Sequence, residues 1–258
     1  MDQRISKLDL KTSLSALSDL FLPRACVVCG EHLLPCERHI CMECLADLPL
    51  THFETLSRNP MADRLNAALP DELRYLYASA LFFYSPYAGY DKITKALKYR
   101  RNFAAGRYFA RMLGEKLASS PLYFDVDVVV PVPLHWMRWW SRGYNQAAVI
   151  ASEVARCMKT PCSSGMLRRV RRTASQTSLS ASARIDNVSS AFRVVGYKVN
   201  PAIVNFRQDE CRPAFRHILL VDDVFTTGAT TVACITALRA ALGPDIRISV
   251  ATLAVVER

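Results

Sequence analysis

The feature that most constrains the fold is a thirteen-residue stretch, Ile218–Thr230, which reads ILLVDDVFTTGAT. Its first four residues are aliphatic, as expected of a strand buried inside a parallel sheet. Asp222 and Asp223 follow at the carboxyl end of that strand, where open α/β sheets bind their ligands. A turn rich in threonine then leads into a predicted helix. The pattern predicts an α/β fold with a binding site at this strand end.

The turn after the two aspartates has the composition of a phosphate cradle. Gly228 permits a tight backbone and the close approach of a ligand. The N–H groups of Ala229 and the residues that follow begin a helix, whose positive dipole end favours a phosphate monoester. The hydroxyls of Thr226, Thr227 and Thr230 add donors. Because two carboxylates nearby can accept hydrogen bonds from vicinal hydroxyls, the stretch predicts a site for a ribose 5-phosphate. The alternative is an ordinary strand–loop–helix with capping threonines.

Apolar periodicity outlines the rest of the chain. One helical stripe predicts an amphipathic helix in residues 1–22, ended by Pro23. A cysteine-rich module follows in residues 23–50, then a poorly patterned connector in 51–75 and an α/β domain in 76–258. The predicted strands are Leu76–Tyr84, Asp127–Val132, Ile218–Val224 and Arg247–Val256, and the predicted helical regions are Tyr90–Leu117, Asn145–Met158 and Ala229–Leu242. This alternation favours a parallel sheet flanked by helices. The stretch Gly196–Arg216 has no clear pattern and is predicted as a loop or hairpin.

Five of the nine cysteines lie between positions 26 and 44. Four of them form two CxxC knuckles separated by eleven residues: Cys26, Cys29, Cys41 and Cys44. Two such knuckles predict a tetrahedral, structural Zn²⁺ site, in which the metal cross-links a module with few apolar residues. The alternative is a set of redox-active or free thiols. His32, Cys36 and His39 are further possible ligands that we expect not to bind the metal.

The formal net charge is +10, and most of it is concentrated in two stretches. Residues Lys92–Arg111 contain seven basic residues and no acid, and Pro131–Arg184 contain nine basic residues and one acid. Such a field suggests an anionic partner, either a phosphate-rich small molecule or nucleic acid. The alternative is a solvated basic surface.

Aromatic and basic residues alternate between positions 135 and 144. The rings of Trp136, Trp139 and Trp140 can stack on unpaired bases while Arg138 holds phosphates, as in proteins that bind single-stranded nucleic acid. Equally, the tryptophans can pack as core beneath the neighbouring loop. For Lys92–Arg111, an amphipathic helix with a solvated face is the favoured interpretation.

Together these stretches resemble a known family. Ile218–Thr230 is similar to the PRPP (phosphoribosyl pyrophosphate) site of type I phosphoribosyltransferases. Three further stretches resemble the competence protein F (ComF/GntX) branch: Val128–Ala147, which reads VVVPVPLHWMRWWSRGYNQA, the series of residues from Arg172 to Phe192, and the double CxxC. The segment between Phe192 and Ile218 is longer than this resemblance leads us to expect.

The resemblance implies a type I phosphoribosyltransferase-like sheet preceded by a Cys₄ zinc ribbon. It implies that Asp222 and Asp223 stabilise a ribosyl cation, and that Mg²⁺ accompanies PRPP. The implied PRPP contacts are Asp222, Asp223, Thr226, Thr227, Gly228, Ala229, Thr230, Pro131, Val132, Pro133 and Arg142. The basic run Arg168–Arg184 corresponds to a mobile loop over the site. The nucleic-acid candidates are Trp136, Arg138, Trp139, Trp140, Arg168, Arg169, Arg171 and Arg172.

Two functions follow as hypotheses. In the first, the chain is a PRPP-binding protein of DNA uptake in natural competence, which contacts single-stranded DNA and acts with DNA-uptake or helicase proteins. In the second, it is an active phosphoribosyltransferase, although no stretch has the pattern of an acceptor pocket. No apolar run is long enough to cross a membrane. Asp2, Asp9 and Asp19 interrupt any signal-peptide core, so a cytoplasmic protein is expected.

Overall fold

The computed structural model describes residues 24–70, 76–99, 102–134, 143–170, 191–195 and 215–257. The predicted helix within residues 1–22 lies outside these ranges, as do residues 196–214 of the predicted loop or hairpin Gly196–Arg216. The three tryptophans also fall outside them, in the segment 135–142, and so do Arg171 and Arg172.

Helices and strands alternate through the α/β part of the chain. In the described part of the chain the helices are α1 (Met42–Ala46), α2 (Pro60–Ala67), α3 (Asp91–Tyr99), α4 (Phe103–Ala118), α5 (Gln146–Met158) and α6 (Ala229–Leu242), and a 3₁₀ turn lies at Phe53–Thr55. The strands are β1 (Ala78–Phe83), β2 (Val128–Pro131), β3 (Leu167–Arg169), β4 (Phe192–Val194), β5 (His217–Phe225) and β6 (Arg247–Val255). None of these helices has the length and apolar character that a membrane crossing requires.

Four strands form a parallel sheet in the order β1–β6–β5–β2. The central strand β5 pairs with strands on both sides, so its aliphatic residues Ile218–Val221 are completely buried. Burial of each such side chain stabilises the fold by about 1.5–3 kcal/mol. The prediction of an α/β fold with a parallel sheet flanked by helices is confirmed. The remaining described strands, β3 and β4, form a separate antiparallel pair.

The sheet separates two hydrophobic clusters, because successive side chains of a strand point to opposite faces. Ile218 and Leu220 pack on one face with α2 and α6. Leu219 and Val221 pack on the other face with α3, α4, α5 and the cysteine module. The result is a three-layer domain in which helices cover both faces of β5.

The connector predicted for residues 51–75 contains a helix that the sequence analysis missed. Asn59 caps α2, since its side-chain oxygen accepts a hydrogen bond from the backbone N–H of Ala62 at 2.9 Å, and Pro60 occupies the first turn. Met61 and Leu65 are completely buried in the sheet cluster. Asn59-Pro60 is a recognisable helix start, but the short helix has too few periodic positions to stand out. The buried face of this helix, with Met61, Ala62 and Leu65, is therefore part of the core.

The region predicted as mostly helical, Tyr90–Leu117, is two helices. Asn102 separates them and caps α4 by accepting a hydrogen bond from the N–H of Ala105 at 3.0 Å. This break turns the basic segment between positions 92 and 111 into two helices, and α3 ends close to the carboxyl edge of the sheet.

Candidate functional site

The predicted phosphate cradle lies where β5 passes into α6. Gly228 has φ +80°, and a Cβ atom added there would lie 2.9 Å from the ring of Phe225. Glycine therefore adopts this backbone conformation at low cost, whereas other residues would be strained there. The first helical hydrogen bond runs from the N–H of Val232 to the Gly228 carbonyl at 2.8 Å. The earlier N–H groups of α6 lie at the positive end of the helix dipole, where a phosphate binds favourably.

Asp222 and Asp223 lie within β5 and are directed to opposite faces of the sheet. Asp222 continues the row of Ile218 and Leu220, on the α6 side, whereas Asp223 lies on the α3 side. The Asp223 N–H donates to Asp222 Oδ1 at 2.8 Å. Burial, together with the adjacent Asp223 charge, raises the pKa of Asp222 to about 8. The protonated form of Asp222 is therefore favoured at neutral pH.

The cation beside this pair is Lys98 of α3. Its ammonium lies 3.0 Å from Asp223 Oδ2, and the two side chains are 23% and 15% exposed. The sequence favours a basic helix with a solvated face for the segment that contains Lys98. The fold instead brings it to the acid pair, 125 positions away in the chain. Periodicity could not reveal this contact, because it depends on how α3 lies against β5.

The opposite wall of the site begins at the end of β2. The N–H of Val132 donates to the Val221 carbonyl at 2.8 Å, and Asn145 Nδ2 donates to the Val132 carbonyl at 3.0 Å. These bonds fix the turn that continues through Pro133. Gln146 begins α5 and is 2% exposed, and its buried Nε2 has no hydrogen-bond partner among the described residues. A buried donor without a partner is costly, so Gln146 points to a missing acceptor.

These groups surround one cavity of about 530 Å³ at the carboxyl ends of the four parallel strands. Ligand pockets commonly range from about 300 to 1,000 Å³. The lining residues are Tyr84, Lys98, Val132, Pro133, Leu134, Asn145, Gln146, Ala147, Arg169, Asp222, Asp223, Val224, Thr226, Thr230 and Val256. Six of the predicted PRPP contacts line it directly: Val132, Pro133, Asp222, Asp223, Thr226 and Thr230.

The other predicted PRPP contacts have separate positions. Thr227, Gly228 and Ala229 lie in the turn between two lining residues, and the Ala229 N–H donates to Thr227 Oγ1 at 3.4 Å. Pro131 is the last residue of β2. Arg142 lies outside the described residues.

Arg64 is a supporting residue that the sequence analysis missed. It lies on α2 and donates to the carbonyls of Val256, at 2.6 Å, and of Thr226. Its guanidinium also lies 5.1 Å from the centroid of Phe225. The Arg64 side chain thus connects α2 to the predicted phosphate cradle and to the end of β6.

Two of the arginines predicted to contact nucleic acid can be placed. Arg168 is exposed on β3, whereas Arg169 lines the cavity and stacks over Phe192 of β4 at 5.2 Å. The remaining candidates, Trp136, Arg138, Trp139, Trp140, Arg171 and Arg172, lie outside the described residues. Arg169 therefore belongs to the same cavity as the acid pair.

The four predicted cysteine ligands come together. The sulfur atoms of Cys26, Cys29, Cys41 and Cys44 all lie within 4.8 Å of one another, and the Cys29 and Cys41 sulfurs are 3.8 Å apart. A tetrahedral zinc–thiolate site with bonds of about 2.3 Å requires sulfurs about 3.8 Å apart. The four thiols can thus hold a metal such as zinc, and their chemistry suits a structural ion.

The cysteine module provides backbone donors for its sulfurs. Cys26 Sγ accepts from the N–H of Cys41 at 3.4 Å, and Cys29 Sγ accepts from the N–H of Glu31 at 3.5 Å. Burial opposes ionisation of Cys26, but hydrogen bonds from the backbone outweigh it and lower its pKa to about 6. A thiolate is the form that binds zinc.

The module is held against the α/β domain by α3. Lys92 Nζ donates to the carbonyl of Val28 in the first knuckle at 2.7 Å. The Tyr90 hydroxyl donates to the carbonyl of Cys44 in the second knuckle at 3.1 Å. Both ligand knuckles therefore contact the start of the helix whose other end carries Lys98.

The chain is similar over part of its length to proteins with curated names. No family model matches the chain. It is 30% identical over 141 residues to competence protein F of Haemophilus influenzae, which covers 54% of this chain and 56% of that protein. It is 36% identical over 104 residues to the DNA utilization protein YhgH of Escherichia coli K12, covering 40% of this chain and 39% of that protein. With YhgH of Salmonella typhimurium the identity is 33% over 138 residues, or 52% and 54% of the two chains.

The chain thus spans about half the length, or less, of the curated relatives it matches. Several relatives share the same two names at 30–36% identity. The resemblance to competence protein F predicted from the motifs is confirmed: the chain is similar to proteins named competence protein F and DNA utilization protein YhgH.

Proposed function

We propose that this chain binds PRPP in the cavity at the carboxyl ends of its parallel strands and acts in DNA uptake. The observation that carries the proposal is the convergence of three elements on one cavity: the N-terminus of α6, the acid pair of β5 and the turn after β2. A phosphate, a ribose diol and a second anionic group require partners of these three kinds within one cavity.

Each part of PRPP has a partner of suitable chemistry. The 5-phosphate fits the α6 N-terminus with the hydroxyls of Thr226 and Thr230. The ribose hydroxyls donate to Asp222 and Asp223. The pyrophosphate fits the turn after β2 and the start of α5, where Gln146 supplies the buried donor that has no partner among the described residues.

Mg²⁺ would accompany the pyrophosphate in this proposal. Because Asp223 is already paired with Lys98, the acid pair by itself is poorly suited to hold a divalent ion. Pyrophosphate oxygens are the better ligands, since Mg²⁺ commonly binds substrate phosphates and keeps several waters. The ion would neutralise part of the ligand charge there.

The DNA part of the proposal is supported by the relatives and by charge. Two of the matched proteins are named for competence and DNA utilization. The net charge of +10 favours a polyanionic partner through release of counterions. The proposed contacts to single-stranded DNA are the basic and aromatic residues between positions 135 and 142, and DNA-uptake or helicase proteins are the proposed protein partners.

Phosphoribosyl transfer is the second candidate. In that reaction the bond between the ribose C1 and the pyrophosphate oxygen breaks, and a bond forms from C1 to an acceptor. The cavity favours it in one respect, because Asp222 and Asp223 are both present beside the proposed sugar, where they would stabilise positive charge on the ring. Release of pyrophosphate in the presence of trial acceptors tests this function.

Calorimetric titration of PRPP with Mg²⁺ tests the binding proposal. We expect saturable binding that the double substitution Asp222→Asn with Asp223→Asn abolishes while the fold remains intact. Asp63→Asn is the matched control, since Asp63 is an exposed aspartate on α2. Unchanged affinity in the double variant would refute the site.

The same titration is repeated with saturating single-stranded oligonucleotide. A change in PRPP affinity would show that the two ligands are thermodynamically linked. PRPP binding with no oligonucleotide binding, measured separately, would remove the DNA part of the proposal and favour phosphoribosyl transfer.

A further inference from the structure

We infer that Lys98 is the fixed cation of the ribose-phosphate subsite, so that the sugar half of the ligand binds without a divalent metal ion. The inference rests on the proposed function, because it concerns the same cavity. It begins from the ion pair between Lys98 and Asp223, whose atoms lie 3.0 Å apart in the wall of that cavity.

The position of Lys98 is determined by the fold, because the helix that carries it is held at both ends. The helix α3 is held at its start by Lys92 and Tyr90, which donate to the cysteine module. Near its end, the Tyr144 hydroxyl donates to the carbonyl of Leu97. Ile93 and Leu97 are 1% exposed in the core. With both ends of α3 fixed, the Lys98 stem begins at a defined distance from β5.

The acid pair already has a cationic partner in the protein, Lys98. The Asp223 carboxylate is paired with the Lys98 ammonium, and Asp222 Oδ1 accepts the backbone N–H of Asp223. Burial beside Asp223 favours the protonated form of Asp222. Two unpaired adjacent carboxylates would repel an anionic ligand and require a cation to accompany it. Here the protein itself provides that cation.

Lys98 can also contact the ligand. An ammonium group has three N–H donors, and its pairing with Asp223 uses one of them. The two others can serve a ribose hydroxyl or a phosphate oxygen in the same cavity. Unlike Mg²⁺, an ammonium does not require octahedral oxygen coordination or bound waters. Binding of ribose 5-phosphate is therefore expected to be independent of magnesium.

The experiment is calorimetric titration of ribose 5-phosphate, which has no pyrophosphate. The protein is transferred by gel filtration into buffer without magnesium, and chelators are avoided so that the cysteine site is not stripped. Zinc content is measured before each titration. We expect the dissociation constants for ribose 5-phosphate without magnesium and with saturating magnesium to agree within about twofold. A twofold difference is well below the tenfold change that corresponds to about 1.4 kcal/mol of binding free energy.

Variants at position 98 test the residue itself. Lys98→Gln should weaken magnesium-free binding by about tenfold or more, as expected for loss of a charged partner. Lys98→Arg, which retains the charge, should restore most of it. The matched control is Lys95→Gln on the same helix, since Lys95 also pairs with a buried aspartate, Asp91, but does not line the cavity. Thermal unfolding and zinc content confirm that each variant is folded.

Four results decide the outcome. Ribose 5-phosphate binding that requires magnesium overturns the inference, and so does a Lys98→Gln variant with wild-type affinity in magnesium-free buffer. Absence of both ribose 5-phosphate and PRPP binding by the wild-type chain, with or without magnesium, overturns the proposed function itself. PRPP binding that depends on magnesium while ribose 5-phosphate binding does not supports both.

Discussion

Substitution of Asp222 by asparagine should stabilise the folded chain at neutral pH. Asparagine resembles the protonated carboxyl group in shape but cannot ionise. The ordinary pKa of an aspartate is 3.8, whereas burial and the neighbouring Asp223 charge raise that of Asp222 to about 8. Between pH 3.8 and about 8, Asp222 therefore keeps its proton in the folded chain but releases it in the unfolded chain.

Proton linkage gives the sign and the magnitude of the contribution of Asp222 to the free energy of unfolding. Since the folded pKa is the higher one, the contribution of Asp222 to stability is fully present below pH 3.8 and is lost as the pH rises to about 8. Each pH unit in this window is worth about 1.4 kcal/mol, so the loss reaches about 4 kcal/mol at pH 7. That is a large part of the roughly 5–15 kcal/mol that stabilises a typical domain.

The measurement is urea unfolding of wild type and Asp222→Asn at pH 5, 6, 7 and 8. The difference between the two free energies of unfolding should grow in favour of the variant by about 1.4 kcal/mol per pH unit up to pH 7. Subtraction removes the pH dependence of the cysteine site, which both proteins share. Asp63→Asn, at an exposed position, should show no such trend. A variant less stable than wild type at pH 7, or a difference that does not vary with pH, would refute the argument.

Three further changes test other parts of the site. Gly228→Ala should lower the free energy of unfolding by about 1–3 kcal/mol and weaken ribose 5-phosphate binding, because φ is +80° and the added Cβ would meet the Phe225 ring; urea unfolding and calorimetry measure both. Arg64→Ala should weaken the same binding without lowering zinc content, since its guanidinium holds the Thr226 carbonyl in the phosphate turn; equal affinity would show that the turn is stable without it. Cys29→Ser should reduce bound zinc from about one ion per chain to a small fraction, because a structural site uses four protein ligands; a variant that retains the full ion would contradict the Cys₄ assignment.

Local sequence patterns were sufficient to predict most helices and strands of the described fold. The predicted helix Ala229–Leu242 has the observed bounds, because its apolar stripe and its Gly243-Pro244 stop are both local signals. The strand at Ile218–Val224 was found for the same reason and extends by one residue at each end. The connector helix was missed, since most of its stabilisation comes from the burial of Met61 and Leu65 against distant strands.

The sequence by itself identified two groups of candidate functional residues in this protein. The stretch from Ile218 to Thr230 contains the strand, the acid pair and the predicted phosphate cradle within contiguous residues, so it can be recognised without a fold. The spacing of the two CxxC knuckles similarly predicts the four sulfurs that lie within 4.8 Å of one another. In both cases the groups that act together are close in the chain.

Only the tertiary structure decided which distant groups complete the cavity. Lys98, Gln146 and Arg169 come from three different elements, and the parallel sheet brings them to the edge where β5 ends. The alternation of β5 also directs Asp222 and Asp223 to opposite faces, and the ion pair with Lys98 is made by Asp223. The physical reason is that helix and strand periodicities specify which face of an element is buried, whereas the partner of a polar group on that face depends on how the elements assemble.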